Sequence, residues 1–236
     1  MSETEQPEHV TATSESSNSR EHEEAAPSTG PELQMAPSIV EHCRIVLDYL
    51  VSQRRHEASV DTSVLSDNQL ICRCHRLLCA AFSETFKAAL VGVQDSIECT
   101  LEVDPNATGI SWMETEEIIE FFYSGECRYS SKLLAAAQYL QCSSLITLLR
   151  KAKAKGATDE NQMALVDQMH SVHLLVALYR LQQDGLFLDC TLNQMDGGSP
   201  VRCHRIILCA FSSLLQSPMQ AGKLSFQVNH PVFRAT

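Results

Sequence analysis

The sequence predicts an α+β fold: a small mixed β-sheet flanked by α-helices, present once in complete form and once in part. Three observations carry that prediction. The chain repeats itself, because "CHRLLCAAFS" (Cys74 to Ser83) lies over "CHRIILCAFS" (Cys203 to Ser212) with six of ten positions identical and two exchanging Leu for Ile. The spacing around the repeat is also kept: His42 precedes Asp61 by 19 residues and His170 precedes Asp189 by the same 19. In both copies the apolar period changes from helical to alternating and back at matching places.

Before the first copy stands an acidic stretch. Residues 1 to 35 hold eight glutamates and one arginine, −7 of the total −11, which leaves −4 for all the rest. Residues 1–37 contain no apolar run and no signal or transit pattern, and are expected to be a disordered tail. The charge balance offers no basic stripe with interleaved aromatics, which argues against direct nucleic-acid binding. No stretch nears the roughly 20 apolar residues that span a bilayer, so no membrane association is expected. The expectation is a soluble protein of the cytoplasm, the nucleus or both, its ten cysteines free thiols.

Each copy then opens with an amphipathic helix. Ile39, Cys43, Val46, Leu47 and Leu50 form the stripe of the first, and Val166, Met169, His173, Leu174 and Leu178 that of the second. Two short strands around a polar turn follow, "VDTSVL-SDN-QLICRC" and "FLDCTLNQ-MDGG-SPVRC". A helix carries "RLLCAA" or "RIILCA", and Ser83 or Ser212 is placed to cap the next helix, with Glu84 at its positive end. The first copy continues through a strand, "IECTLEV", and a helix around "METEEIIEFFYSG" that Gly125 stops. It closes with "SKLLAAAQYLQ" and "SSLITLLRKAK", whose lysines 151 to 155 read as a solvated helix end. Aligning "LEVDP" (Leu101 to Pro105) with "QVNHP" (Gln227 to Pro231) ends the second copy just after its third strand. That copy then lacks the helices expected to cover Leu208, Phe211 and Leu215.

Cys72, Cys74, His75 and Cys79 crowd one short segment and raise the question of a metal or a nucleophile. On a strand, neighbouring side chains point to opposite faces, so Cys74 and His75 cannot form a thiolate–imidazole dyad. A zinc site would need a second ligand pair at suitable spacing, and none is present. The repeat exchanges Cys72 for Val201 and Cys79 for Leu208, as expected when cysteine serves as a small apolar residue. No metal, cofactor or catalytic residue is expected, and no phosphate loop or nucleophile elbow argues for an enzyme.

What the copies retain is Asp, then His-Arg, then an apolar helix with Phe-Ser, and this resembles the BTB (POZ) family pattern "F-x-D-V-x-L … A-H-K/R-x-x-L-A-A-x-S-x-x-F". The likeness extends to "FFYSGE" (Phe121 to Glu126), "LLAAAQYLQ" (Leu133 to Gln141) and "HSVHLLVALYRLQQDGLFLDCTL" (His170 to Leu192). It covers residues 38 to 152 and 163 to 233. Departures are a short segment between Tyr129 and Leu133, a first strand opening Ser59-Val60-Asp61 without the usual aromatic, and the early stop of the second copy. The resemblance divides the chain into tail 1–37, complete BTB domain 38–155, linker 156–162 and truncated BTB domain 163–236.

The resemblance implies an interaction module that self-associates, with Ile39, Cys43, Val46, Leu47 and Leu50 as its dimer face. It also implies a substrate adaptor or scaffold of a cullin three ubiquitin ligase, or alternatively a transcriptional BTB protein that oligomerises and recruits corepressors. The hydrophobic-x-acid slot of cullin-binding members falls on Val93-Gln94-Asp95, with Asp in place of the commoner Glu; an ordinary exposed turn is the competing reading. The second copy's slot, near Pro218 to Gln220, has no acid. Asp61 with Arg76, and Asp189 with Arg205, occupy positions that line a charged pocket at the dimer interface in some members; the alternative is that each aspartate caps local backbone while its arginine faces water. His75 and His204 are expected to make buried hydrogen bonds.

Overall fold

The computed structural model describes residues 37–57, 59–194, 198–220 and 225–228; the tail expected to be disordered lies outside them up to residue 36. The described residues begin with α1 (Pro37–Arg55), then a hairpin of β1 (Thr62–Ser66) and β2 (Gln69–Cys74). The hairpin turns on Asp67 and Asn68, both at positive φ (53° and 59°), as a two-residue turn requires. The helices α2 (Arg76–Phe82) and α3 (Glu84–Val91) carry the chain to β3 (Cys99–Glu102), which lies parallel to β1 and completes a sheet of order β2-β1-β3. Ser83 caps α3 by accepting the Phe86 N–H at 3.1 Å, and its hydroxyl also donates to the Leu140 carbonyl at 2.6 Å.

A single turn of helix, α4 (Pro105–Thr108), leads to α5 (Trp112–Ser124), which starts on a Ser111–Glu114 capping box and stops at Gly125 (φ 69°). Ile118, Ile119, Phe121 and Phe122 on α5 are fully buried. Arg54 ties α1 to this helix: it pairs with Glu120 at 2.6 Å and lies 4.4 Å above the Tyr123 ring. After β4 (Glu126–Arg128) come α6 (Ser131–Tyr139) and α7 (Ser143–Ala154). Leu133, Leu140, Leu145 and Leu149 close the core beneath them.

The next strand, β5 (Ala164–Val166), returns to β4 and pairs with it antiparallel, Glu126 opposite Val166 and Arg128 opposite Ala164. Neither strand was expected from the sequence. Helix α8 (His170–Gln183) follows. Its buried face is His170, Val172, Leu174, Leu178 and Leu181, which corrects the expected stripe: Val166 belongs to β5, and Met169 and His173 are exposed. Asp167 causes the difference, because it accepts the Met169 N–H on its carboxylate and the His170 N–H on its carbonyl, and so starts the helix later.

The remaining elements are β6 (Cys190–Gln194), β7 (Val201–Cys203), α9 (Arg205–Phe211), α10 (Ser213–Gln220) and β8 (Ser225–Val228). Their sheet has the order β7-β6-β8, antiparallel then parallel, the same plan as β2-β1-β3. The registers correct the sequence alignment by one residue. Val64 faces Leu101 in the first sheet and Leu192 faces Phe226 in the second, so Phe226 stands where Leu101 does, rather than Gln227. A one-residue slip exchanges the two faces of a strand, and Phe226 is buried while Gln227 is exposed.

The α1 stripe is buried along most of its length. Cys43, Val46 and Leu50 are buried, Leu47 is half-buried and Ile39 remains 41% exposed. The helix packs on α8 and α9 of its own chain, and Val46 and Leu50 share a core with Leu174, Leu178 and Leu181 of α8. An amphipathic stripe specifies that a face is to be buried, and is silent about what buries it.

Candidate functional site

The hairpin brings Asp61, just ahead of β1, beside Arg76 at the start of α2. Asp61 Oδ1 accepts the Arg76 backbone N–H at 2.7 Å, and Arg76 Nε donates to Oδ2 at 2.6 Å. The aspartate therefore caps the backbone, as one reading expected, while the arginine pairs with it instead of facing water. The rest of the guanidinium donates to backbone carbonyls: Nη1 to Gln94 at 3.0 Å, and Nη2 to Ser96 at 2.7 Å and Ile97 at 2.9 Å. Arg76 is only 8% exposed, and a charge so enclosed requires this full set of acceptors.

Those carbonyls belong to the turn that holds Val93, Gln94 and Asp95. The turn is closed by hydrogen bonds from Val93 N–H to the Leu90 carbonyl and from Ser96 N–H to the Val93 carbonyl. Val93 is 41% exposed, Asp95 is exposed and Gln94 is half-buried. Ile97, which sequence reasoning passed over, stands 92% exposed at its end. An isoleucine in the otherwise polar run "QDSIE" was the available signal. The arrangement offers a clamped turn, two exposed apolar side chains and a carboxylate, which is the chemistry of binding.

The second pair repeats the first more loosely. Asp189 Oδ1 accepts the Arg205 N–H at 2.7 Å, and Arg205 Nε lies 3.3 Å from Oδ2, with both side chains partly exposed. All four charged residues border one cavity of about 390 Å³, together with Gln94 and Asp95. The backbone of the second copy's slot at Pro218 to Gln220 lies in α10, and its side chains are outside the description.

The histidines are held by hydrogen bonds. The Tyr123 hydroxyl accepts the His75 N–H at 2.9 Å and lies 2.7 Å from Nδ1 of the same residue. His204 Nε2 donates to the Leu186 carbonyl at 3.1 Å, and burial pushes its pKa down. His170, to which the sequence assigned no role, stacks flat on Phe82 with ring centres 4.5 Å apart and donates from Nε2 to the Phe122 carbonyl at 3.0 Å. Burial lowers its pKa as well.

The ten cysteines are all reduced. Cys74 and Cys79 bring their sulfurs within 3.4 Å in the core, and burial raises the Cys127 and Cys142 thiols to about 12, which suppresses the thiolate. Among the described residues no group of three or more His, Cys, Asp or Glu side chains is gathered as a metal would need. No helix among them is long and apolar enough to cross a membrane.

Comparison with curated proteins finds no match. Among solved structures, the BTB domain of zebrafish PATZ1 is similar at 20% identity, covering 49% of this chain and 93% of that one, with a TM-score of 0.37. The BTB (Tramtrack and Bric a brac) domain of human gigaxonin is similar at 22% identity, covering 50% of this chain and 92% of that one, with a TM-score of 0.39. The model of the BTB/POZ domain family matches residues 50–155. That segment, which runs from the end of α1 through the hairpin, α2 and the clamped turn, is similar to the BTB/POZ domain, a protein–protein interaction module of a family whose members generally self-associate.

Proposed function

We propose that the chain is a substrate adaptor or scaffold of a cullin three RING ubiquitin ligase, and that the turn at Val93, Gln94 and Asp95 contacts the cullin. The observation that carries this reading is the clamp: Arg76 fixes the backbone of Gln94, Ser96 and Ile97, so the turn that presents Val93, Asp95 and Ile97 has less backbone to order on binding. We further propose that residues 38–155 form the complete domain, 156–162 the linker and 163–236 a second, partial BTB copy. The shared strand order, the shared strand directions and the repeated Asp–Arg pair support that second assignment.

The test is a pull-down of the full chain with a cullin three N-terminal region. The double variant Val93→Asp with Asp95→Lys should lose binding while keeping its melting temperature, because an apolar anchor commonly carries about 2 kcal/mol or more of an interface. Undiminished binding by the double variant would remove this turn from the contact. No binding by the unaltered chain would leave the oligomerising, corepressor-recruiting reading in its place.

A further inference from the structure

The contacts between the two halves of the chain are reciprocal. Helix α1 packs on α8, its counterpart in the repeat; α1 also packs on α9, and α8 packs on α2, the counterpart of α9. Aromatic contacts follow the same exchange. His170 of the second copy stacks on Phe82 of the first, and His42 of the first meets Phe211 of the second edge-on, ring centres 5.7 Å apart. These four residues are two repeat-equivalent pairs, so each copy lends its first-helix histidine to the other copy's Phe-Ser motif. The two Asp–Arg pairs line one cavity together.

From this pattern we infer that residues 164–183 serve as the built-in partner of the first domain, so that the chain forms an internal pseudo-dimer and its α1 face is closed to a second copy. Three features support the assignment. Cys43, Val46 and Leu50 on α1 and Leu174, Leu178 and Leu181 on α8 are all buried, which leaves these residues no surface for another chain. Strand β5 extends the first domain through β4, with Tyr129 N–H donating to the Met163 carbonyl and Asp167 N–H to that of Gly125, so the junction is bonded through its backbone. Only nine residues, 155–163, separate α7 from β5. A tether so short holds the occupant at an effective concentration in the millimolar range, far above that of a free second chain.

The experiment is light scattering on the full chain from about 1 to about 100 µM, a range in which ordinary stable interfaces are populated. A single species of 26.2 kDa is expected throughout. A species of twice that mass would overturn the inference. The variant Leu174→Asp, which loosens α8, gives a reading of opposite sign for the two arrangements. If the pairing is internal, the uncovered α1 face should drive concentration-dependent self-association of the variant. If the pairing joins two chains, the same variant should lower the mass of a dimeric parent. A variant that stayed at 26.2 kDa would overturn α8 as the cover of α1; the parent's own mass decides the question if the variant does not fold.

Discussion

Phe82 and Phe211 occupy equivalent places in the two halves of the molecule, and they live in different surroundings. Phe82 is 6% exposed, packed against Phe121, Phe122 and His170, with α5 and α8 closing over its helix. Phe211 is 49% exposed, and Leu214 in the following helix is 86% exposed. The first domain contributes to a core that runs on into α8 through Leu174, Leu178 and Leu181, whereas Cys190, Cys209 and Phe226 form a separate small cluster under the second sheet. The same local motif therefore folds to the same hairpin and helix in both places, and its stability depends on what is laid across it.

The largest test of that comparison is to truncate both aromatics. Phe82→Ala should cost about 3–5 kcal/mol in a denaturant melt and Phe211→Ala less than about 1 kcal/mol, since only the first leaves a buried cavity. Equal losses would mean that the second half has a cover equivalent to that of the first. Next in size is Gly125→Ala. Gly125 has φ 69°, and a Cβ there would lie 2.7 Å from the His170 Cβ, so the added methyl strains the turn and pushes α8 from its seat. A loss of about 2–3 kcal/mol is expected, with amide protection falling first along β5 and α8.

The two Asp–Arg pairs sharpen the contrast at a smaller scale. Asp61→Asn should cost about 1–3 kcal/mol, because Arg76 is enclosed and its remaining bonds hold the 94–97 turn. Asp189→Asn should cost under about 1 kcal/mol, its partners being more exposed. Equal costs, measured by chemical denaturation, would show the second pair to be as enclosed as the first.

Much of this was legible in the residues and some was not. The Asp67-Asn68 hairpin and the stop at Gly125 follow from strong local signals: paired positive-φ formers and a glycine after a periodic run. The β4–β5 ladder was missed because three-residue strands have too few positions to show a period. The anchoring of the Val93–Asp95 turn was missed for a different reason. Its acceptors are backbone carbonyls, which every residue carries, so Arg76 left no pattern of partners to find. The α8 face was misjudged because Met169 and His173 fall at plausible helical spacing, and only the Asp167 turn fixes where the helix begins.

The smallest expected effect concerns acid. Burial holds the imidazoles of His170 and His204 below their ordinary pKa near ~6.5, so they stay neutral in the fold while the unfolded chain takes up protons at higher pH. The unfolded state binds more protons in that interval, so stability is full above about pH 6.5 and declines as pH falls below it. Asp167, whose Oδ2 lies 3.9 Å from His170 Nδ1, opposes part of the decline. The melting temperature should be lower at pH 5.5 than at pH 7.5, and His170→Gln should narrow the gap; an unchanged gap would assign the acid sensitivity elsewhere.

The β4–β5 ladder has one more consequence if residues 164–183 are the domain's own partner. A pair made of separate chains falls apart on dilution and exchanges members with any compatible copy it meets. A pair joined through the backbone does neither. Its assembly is the same at one molecule per cell as at thousands, and two variants made side by side would not form mixed particles. An altered copy would then lose its own function without drawing an intact one into a shared complex.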